Sequence, residues 1–315
     1  MRVTSLGSGS SGNAYLIEAG PRRRTKLLVD AGFSPRVLSE RLRQAGSEPG
    51  QLQGVLVTHE HSDHILGLPL LMKRYQVPVF ADPGTLSELQ TIFSAGELRS
   101  ESGARILLEA EYFESSTGLV VQQEVIAVQT ASSELEMGVW RTLPAGTSCV
   151  IGDIEVTAFP VSHDAKAPCG YLLSAGGCRV CIVTDTGEVT PVMLEAMARA
   201  DLLILESNHD RSRLLSGPYP YYLKQRILSP TGHLSNDQAA EAVLRTWSSD
   251  GVRWLWLAHL SRTNNTPKLA LSNMQKRLRE AGANLEQIHI SVLKHEFGGY
   301  WDSTRLWQDT ALWEM

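Results

Sequence analysis

The sequence predicts a mixed α/β (α+β) chain, folded as a single domain, whose strands end around one cleft. Three observations lead there. Short apolar runs alternate with amphipathic stretches of helical period along most of the 315 residues. Five of the apolar runs stop just before a histidine or an acid: His59, His163, Asp185, Glu206 and His259. Strand ends along one edge of a sheet can meet in one place, so ligand-type residues set there can build a common site. The composition, 43% hydrophobic and 20% charged, is that of an ordinary globular protein.

In chain order, residues 7–13 form a tight polar loop of glycine, serine and asparagine. Strands follow at 15–18 and 26–30, joined by a turn carrying Arg22, Arg23 and Arg24. Residues 34–45 have helical period. The short strand 54–58 runs directly into the histidine cluster. Residues 65–75 read as one helix and 77–80 as a strand. Residues 96–147 are polar, rich in Glu and Ser and without a clear period, and read as an insertion or an irregular β segment. Beyond them, strands are expected at 154–159, 179–184, 202–205 and 252–258, with a helix at 191–200. Ser235 begins another helix as its N-cap, and Gln238 completes a capping box.

Composition also sets bounds. A net charge of −5 carries no global basic field for nucleic acid, although a local patch would suffice. The four cysteines are too few for a disulfide scaffold. Cys178 and Cys181 form a C-x-x-C on an expected strand, where they would face opposite sides, as core residues do. The N-terminus lacks the apolar stretch of a signal peptide. No apolar run approaches the roughly 20 residues of a membrane span. These features point to the cytoplasm and away from the membrane; they leave the oligomeric state open.

His59, His61, Asp63 and His64 fall within six residues. Neutral imidazole and carboxylate are both ligands of divalent metals, and a solvated loop has little reason to concentrate them. In extended backbone His59 and His61 point the same way and can grip one ion. Asp63 and His64 lie past the bend and can serve a second.

The pattern His59-x-His61-x-Asp63-His64 at a strand end resembles the H-x-H-x-D-H motif of the metallo-β-lactamase superfamily, and His163, Asp185 and His259 follow in the superfamily's order. The resemblance implies a single-domain αββα sandwich over residues 1–315. It also implies one ion at His59, His61 and His163, a second at Asp63, His64 and His259, and Asp185 between them. Two such ions, Zn²⁺ or Mn²⁺, would share a water and lower its pKa toward about 7, giving hydroxide at neutral pH. Asp63 would orient that nucleophile.

Two later segments bear on the substrate. Glu206 after a strand and the Gly-His-Leu-Ser segment containing His233 resemble the Glu–His pair of the tRNase Z branch. That likeness implies that His233 contacts the scissile phosphate and protonates the leaving oxygen while Glu206 orients the ring. His209 and Asp210 read either as groups supporting a ligand or as plain loop residues. Between 211 and 236 there are four basic residues (Arg211, Arg213, Lys224, Arg226) and no acid, with Tyr219, Tyr221 and Tyr222 among them. Basic side chains hold phosphates and aromatic rings stack on bases, so these four and Ser235 are candidate substrate contacts. The bland alternative is a solvated loop over the core.

Five segments narrow the resemblance to the YycJ/WalJ-like group: SLGSGSSGN at 5–13, FPVSHD at 159–164, ESNHD at 206–210, GPYP at 217–220 and HLSRTNNTP at 259–267. The group's implied activity is 5′-exonuclease cleavage of DNA. Residues 96–147 depart from its usual pattern by their length. No β-CASP-sized insertion lies between Asp185 and His259, which argues against the RNase J type. The leading expectation is therefore a metal-dependent phosphodiesterase acting on nucleic acid, DNA above all. The alternatives are a hydrolase of small esters, lactones or cyclic phosphodiesters, and a metal-bearing scaffold protein with weak catalysis.

Overall fold

The computed structural model describes residues 1–95, 97–99, 105–107, 139–246 and 253–307. The chain opens with strands β1 (Arg2–Gly7), β2 (Ala14–Ala19) and β3 (Thr25–Val29), then helix α1 (Pro35–Gln44) and strand β4 (Gly54–Leu56). Helices α2 (Ser62–Ile65) and α3 (Leu68–Tyr75) lead to β5 (Val79–Ala81) and α4 (Pro83–Ala95). A small hairpin, β6 (Glu97–Arg99) with β7 (Arg105–Leu107), precedes β8 (Trp140–Thr142), β9 (Ser148–Ile151), β10 (Ile154–Pro160), β11 (Cys169–Ala175) and β12 (Cys178–Val183). Then come α5 (Pro191–Ala198), β13 (Leu202–Glu206), α6 (Arg211–Ser216), α7 (Tyr221–Leu228), α8 (Asn236–Arg245), β14 (Arg253–Ala258), α9 (Pro267–Glu280), β15 (Ile288–Val292) and β16 (Tyr300–Asp302).

The strands build two seven-stranded sheets, ordered β16-β1-β2-β3-β4-β5-β8 and β15-β14-β13-β12-β11-β10-β9. Side-chain alternation explains how they stack. Leu27 and Val29 of β3 face inward and meet Val180 and Ile182 of β12 and Ile204 of β13 in a core between the sheets. Leu28, from the other face of β3, packs with Leu38, Leu42 and Leu71 on the helices outside the first sheet. Cys181, Leu203 and Leu255 likewise pack with Met193, Val243 and Met274 outside the second. Three cores between four layers make the expected αββα sandwich. Cys178 lies in the central core and Cys181 in the outer one, so they do face opposite sides, and all four cysteines are free thiols. Among the described residues, no helix is long and apolar enough to cross a membrane.

The structure corrects two readings. The helix expected over 65–75 is two helices, broken at Leu66 and Gly67. Gly67 donates its N–H to Ala31 O at 2.7 Å, and a Cβ there would stand 2.8 Å from Phe33 O. The close pass of the chain after β3 therefore demands glycine and interrupts the helical run. The span 96–147 is not one irregular segment either, because β8 pairs in parallel with β5 and Leu143 is a core residue. Most of the rest of that span, and Val252 at the expected start of β14, lie outside the described residues.

Candidate metal centre

The ends of β3, β4, β10, β12, β13 and β14 all open on one point between the sheets. His59 follows β4, His61 caps α2, and Asp63 and His64 form its first turns. His163 lies beyond β10, Asp185 follows β12, Glu206 ends β13 and His259 follows β14. Ligand atoms of His59, His61 and His163 lie within 4.8 Å of one another, as do those of Asp63, His64 and His259. Asp185 groups with His59 and His64 in the same way, which sets it between the two triads. All of these groups are buried except His61, which is half-buried.

Each imidazole is oriented by its other nitrogen. His64 Nδ1 donates to Asp30 Oδ2 at 2.8 Å, His163 Nδ1 to Gly232 O at 3.1 Å, and His259 Nδ1 to Glu206 Oε1 at 2.9 Å. The Thr58 hydroxyl donates to Asp30 and stands 3.0 Å from His59 Nδ1. Nε2 thereby faces the centre in all four rings, that of His64 also lying 3.1 Å from Asn13 Nδ2. His61 turns Nδ1 inward, 3.3 Å from His163 Nε2. Five buried atoms without a hydrogen-bond partner gather here: His59 Nε2, Asp63 Oδ1, His259 Nε2 and both Asp185 oxygens. An unpaired buried polar atom costs about 1–3 kcal/mol, so such a concentration calls for a cation. Imidazole nitrogen together with carboxylate oxygen suits a divalent one.

Backbone geometry tells the same story. Asp30, Asp185 and His259 have φ of 59°, 55° and 52°, a left-handed conformation that costs non-glycine residues roughly 1–3 kcal/mol. The surroundings hold the conformation: Thr58 N donates to Asp30 Oδ1 at 2.8 Å and His259 N to Ser8 Oγ at 2.9 Å. At Gly32 a Cβ would meet Asp63 O at 1.6 Å, so only glycine lets the chain after β3 grip the turn that carries Asp63.

Electrostatics treat the candidate ligands unequally: burial pushes His64 and His259 down, but the carboxylates around them win and hold both rings well above the ordinary histidine range. Burial, aided by the charge of His64, holds His59 well below the ordinary histidine pKa. Burial also takes His163 down to about 4. For Asp63 and Asp185 burial pushes upward, but the surrounding histidines win and keep both carboxylates ionised.

Beside this cluster stands the pair expected from the sequence. His233 Nδ1 donates to Glu206 Oε1 at 2.8 Å, the same oxygen that holds His259. Glu206 Oε2 accepts from Thr186 N at 3.0 Å and Leu234 N at 3.1 Å. Glu206 and His233 also sit close enough to Asp185 and His259 to form a fourth potential ligand group. We read them instead as a hydrogen-bonded pair, because both Glu206 oxygens are already engaged. Burial opposes the charge of Glu206, yet its two histidines bring its pKa down to about 2. Burial opposes the charge of His233, and Glu206 overcomes it, raising the ring's pKa.

Residues 25–249 match the β-lactamase superfamily domain. The chain belongs to the β-lactamase superfamily. Within the superfamily, the exodeoxyribonuclease WalJ of Streptococcus pneumoniae is 35% identical over 280 residues, 89% of each chain. The exodeoxyribonuclease YycJ of Bacillus anthracis is 33% identical over 282 residues, 90% of each. Two solved structures share the superfamily fold. YhfI of Bacillus subtilis matches with a TM-score of 0.59 and 17% identity, covering 96% of this chain and 99% of its own. The short form of human tRNase Z matches with a TM-score of 0.57 and 19% identity, with the same coverage.

The expected substrate contacts are less uniform than the ligands. Arg226 Nε pairs with Asp164 Oδ2 at 2.5 Å, close to the centre, because Asp164 Oδ1 is 3.3 Å from His163 Nε2. Arg213 and Lys224 donate to the backbone oxygens of Thr263 and Leu215. Arg211 is exposed on α6. Ser235 departs from expectation: it is buried, and its hydroxyl is committed to Gln238 in the capping box of α8. Asp210 is likewise a cap, accepting from Arg213 N at 2.8 Å. His209 is buried, with no hydrogen-bond partner on either ring nitrogen among the described residues.

Two contributors went unread in the sequence. Asp30 orients His64, and Asn13 Nδ2 lies 3.3 Å from Asp63 Oδ2 and 3.1 Å from His64 Nε2. Asp30 carried the signal, since it follows an apolar strand as the five named residues do. Asn13 carried none beyond its place in the polar loop.

Proposed function

We propose that this metal-dependent hydrolase degrades DNA from the 5′ end at a centre of two divalent ions, Zn²⁺ or Mn²⁺. In this reading His59, His61 and His163 hold one ion, Asp63, His64 and His259 the other, and Asp185 joins them. The observation that carries the reading is the single Glu206 oxygen shared by His233 and His259. It fixes a proton-bearing histidine beside the ligand cluster, placed to protonate the leaving 3′ oxygen of a phosphodiester. The names of the WalJ and YycJ relatives agree with it.

When bound, the ions supply an acidified water and neutralise charge growing on the phosphate. Asp63, ionised at neutral pH, is suited to orient that water. Glu206 holds Nδ1 of His233 and keeps the ring charged, so Nε2 is the atom that gives its proton to the departing 3′ oxygen. The exposed Tyr221 and Tyr222, 76% and 74% accessible, offer rings on which bases can stack. Four free thiols suit a reducing, cytoplasmic setting.

A compact pocket beside His233 favours a second reading, a small-molecule ester, lactone or cyclic phosphodiester hydrolase. Purified protein with Mn²⁺ or Zn²⁺ should shorten labelled duplex DNA, and Asp63→Ala should not. Intact DNA with every divalent metal, alongside turnover of an ester or lactone, would replace the first reading by the second.

A further inference from the structure

The pocket beside His233 has a volume of about 330 Å³. That is the small end of the roughly 300–1,000 Å³ typical of small-molecule sites, room for about one nucleotide. Its lining has three chemistries. Tyr219, Leu223 and Ile227 are apolar; Ser10, Asn208 and Ser261 are polar; Arg226 and Asp164 are charged. Arg226 is anchored through Nε on Asp164. Arg262, which follows Ser261, donates to Ser11 Oγ at 3.0 Å, tying the chain after Ser261 to the loop that carries Ser10.

The position of the pocket decides which nucleotide it can hold. In the proposed hydrolysis a water oxygen bonds to phosphorus, the bond from phosphorus to O3′ breaks, and O3′ takes the proton from His233. The nucleotide attached to O3′ therefore lies on the His233 side, and His233 lines this pocket. The occupant departs with a 3′ hydroxyl, and its own 5′ phosphate points away from the cut bond. The remaining strand keeps the attacked phosphate as its new 5′ end.

We propose that this pocket seats the 5′-terminal nucleotide, reads its 5′ phosphate through Arg226 with Ser10 and Ser261, and limits release to one nucleotide per cut. The inference rests on the phosphodiester reading above and deepens it by naming the chemical feature selected. An aromatic and aliphatic surface beside hydroxyls and a guanidinium suits a base and sugar carrying a phosphate.

The test uses the full chain loaded with Mn²⁺ and three duplexes labelled at the 3′ end. They carry a 5′ phosphate, a 5′ hydroxyl or a bulky 5′ fluorescein. The phosphorylated duplex should be trimmed about tenfold faster than the hydroxylated one, as expected of a charge-assisted contact. The blocked duplex should resist, and the product should be the 5′-mononucleotide. Arg226→Ala should erase most of the preference for phosphate. Leu223→Trp, which fills the pocket, should abolish calorimetric binding of 2′-deoxyadenosine 5′-monophosphate, with the melting temperature checking its fold. Equal rates on all three duplexes, release of longer fragments, or unchanged mononucleotide binding in both variants would overturn the pocket assignment while leaving phosphodiester cleavage standing. A wild-type protein that leaves DNA and bis(p-nitrophenyl) phosphate intact would overturn both.

Discussion

Asp185 follows β12 and Glu206 ends β13, the next strand in the same parallel ladder, and both carboxylates are buried. Glu206 has every oxygen hydrogen-bonded, one by two imidazoles and one by two backbone N–H groups. Asp185 has neither oxygen hydrogen-bonded and sits on strained backbone, 3.3 Å from His64 Nε2 and from His259 Nδ1. A buried charge must be compensated. Glu206 is compensated by the protein itself and can only hold its partners in place. Asp185 is offset chiefly by the charge of His259 and His64, with no hydrogen bond to either oxygen among the described residues, which leaves both oxygens open to a metal ion. Two similar residues at equivalent strand ends are thus separated by their hydrogen bonds, not by their type or burial.

The largest break in that comparison is expected from Asp185→Asn. It should lose most bound divalent metal, measured by elemental analysis, and reduce DNA cleavage to background. Glu206→Gln should weaken metal affinity about 10-fold through His259 and, at saturating metal, still slow kcat by roughly 10²-fold, the scale of a misplaced general acid, with a smaller change in KM. Asp30→Asn, which disturbs His64 through its ring, should weaken metal affinity about 10- to 100-fold without abolishing cleavage at saturating metal. Tyr221→Ala and Tyr222→Ala should each raise KM for DNA by up to about tenfold and lower kcat less, consistent with the loss of one stacked base.

A further effect, on stability and not on activity, concerns His209. Burial, with no hydrogen-bond partner, takes its pKa down to about 4. In the unfolded chain the ring takes up a proton near pH 6.5, whereas in the fold it resists until about 4. The contribution is therefore complete above pH 6.5 and lost as pH falls toward 4, on the order of 3 kcal/mol over that window. Urea melts of wild type and His209→Leu across the window should differ in slope, the variant being flatter.

Much of this was legible in the sequence for a physical reason. The candidate metal ligands lie close in the chain or at strand ends, so His59, His61, Asp63, His64, His163, Asp185 and His259 were legible by position. Asp30 shared the pattern but stood alone and was read as the last residue of the strand 26–30. The shared grip of Glu206 on His233 and His259 joins residues 53 positions apart and has no local signature. The break at Gly67 was hidden because its cause is the passing chain after β3. Ser235 combines a capping signal with nearness to His233, and the structure engages its hydroxyl in the cap of α8.

The central claim is a division of labour: a ligand cluster that serves the water, and a Glu206-held His233 that serves the leaving oxygen. The most direct measurement is the cleavage of DNA whose scissile 3′ oxygen is replaced by sulfur, by wild type and by His233→Ala. A thiolate leaves without a proton, so the variant should cut ordinary DNA about 10²- to 10⁴-fold more slowly than wild type, yet cut the sulfur-bridged substrate at close to the wild-type rate. An equal loss on both substrates would contradict the account and leave His233 with no part in protonating the leaving group.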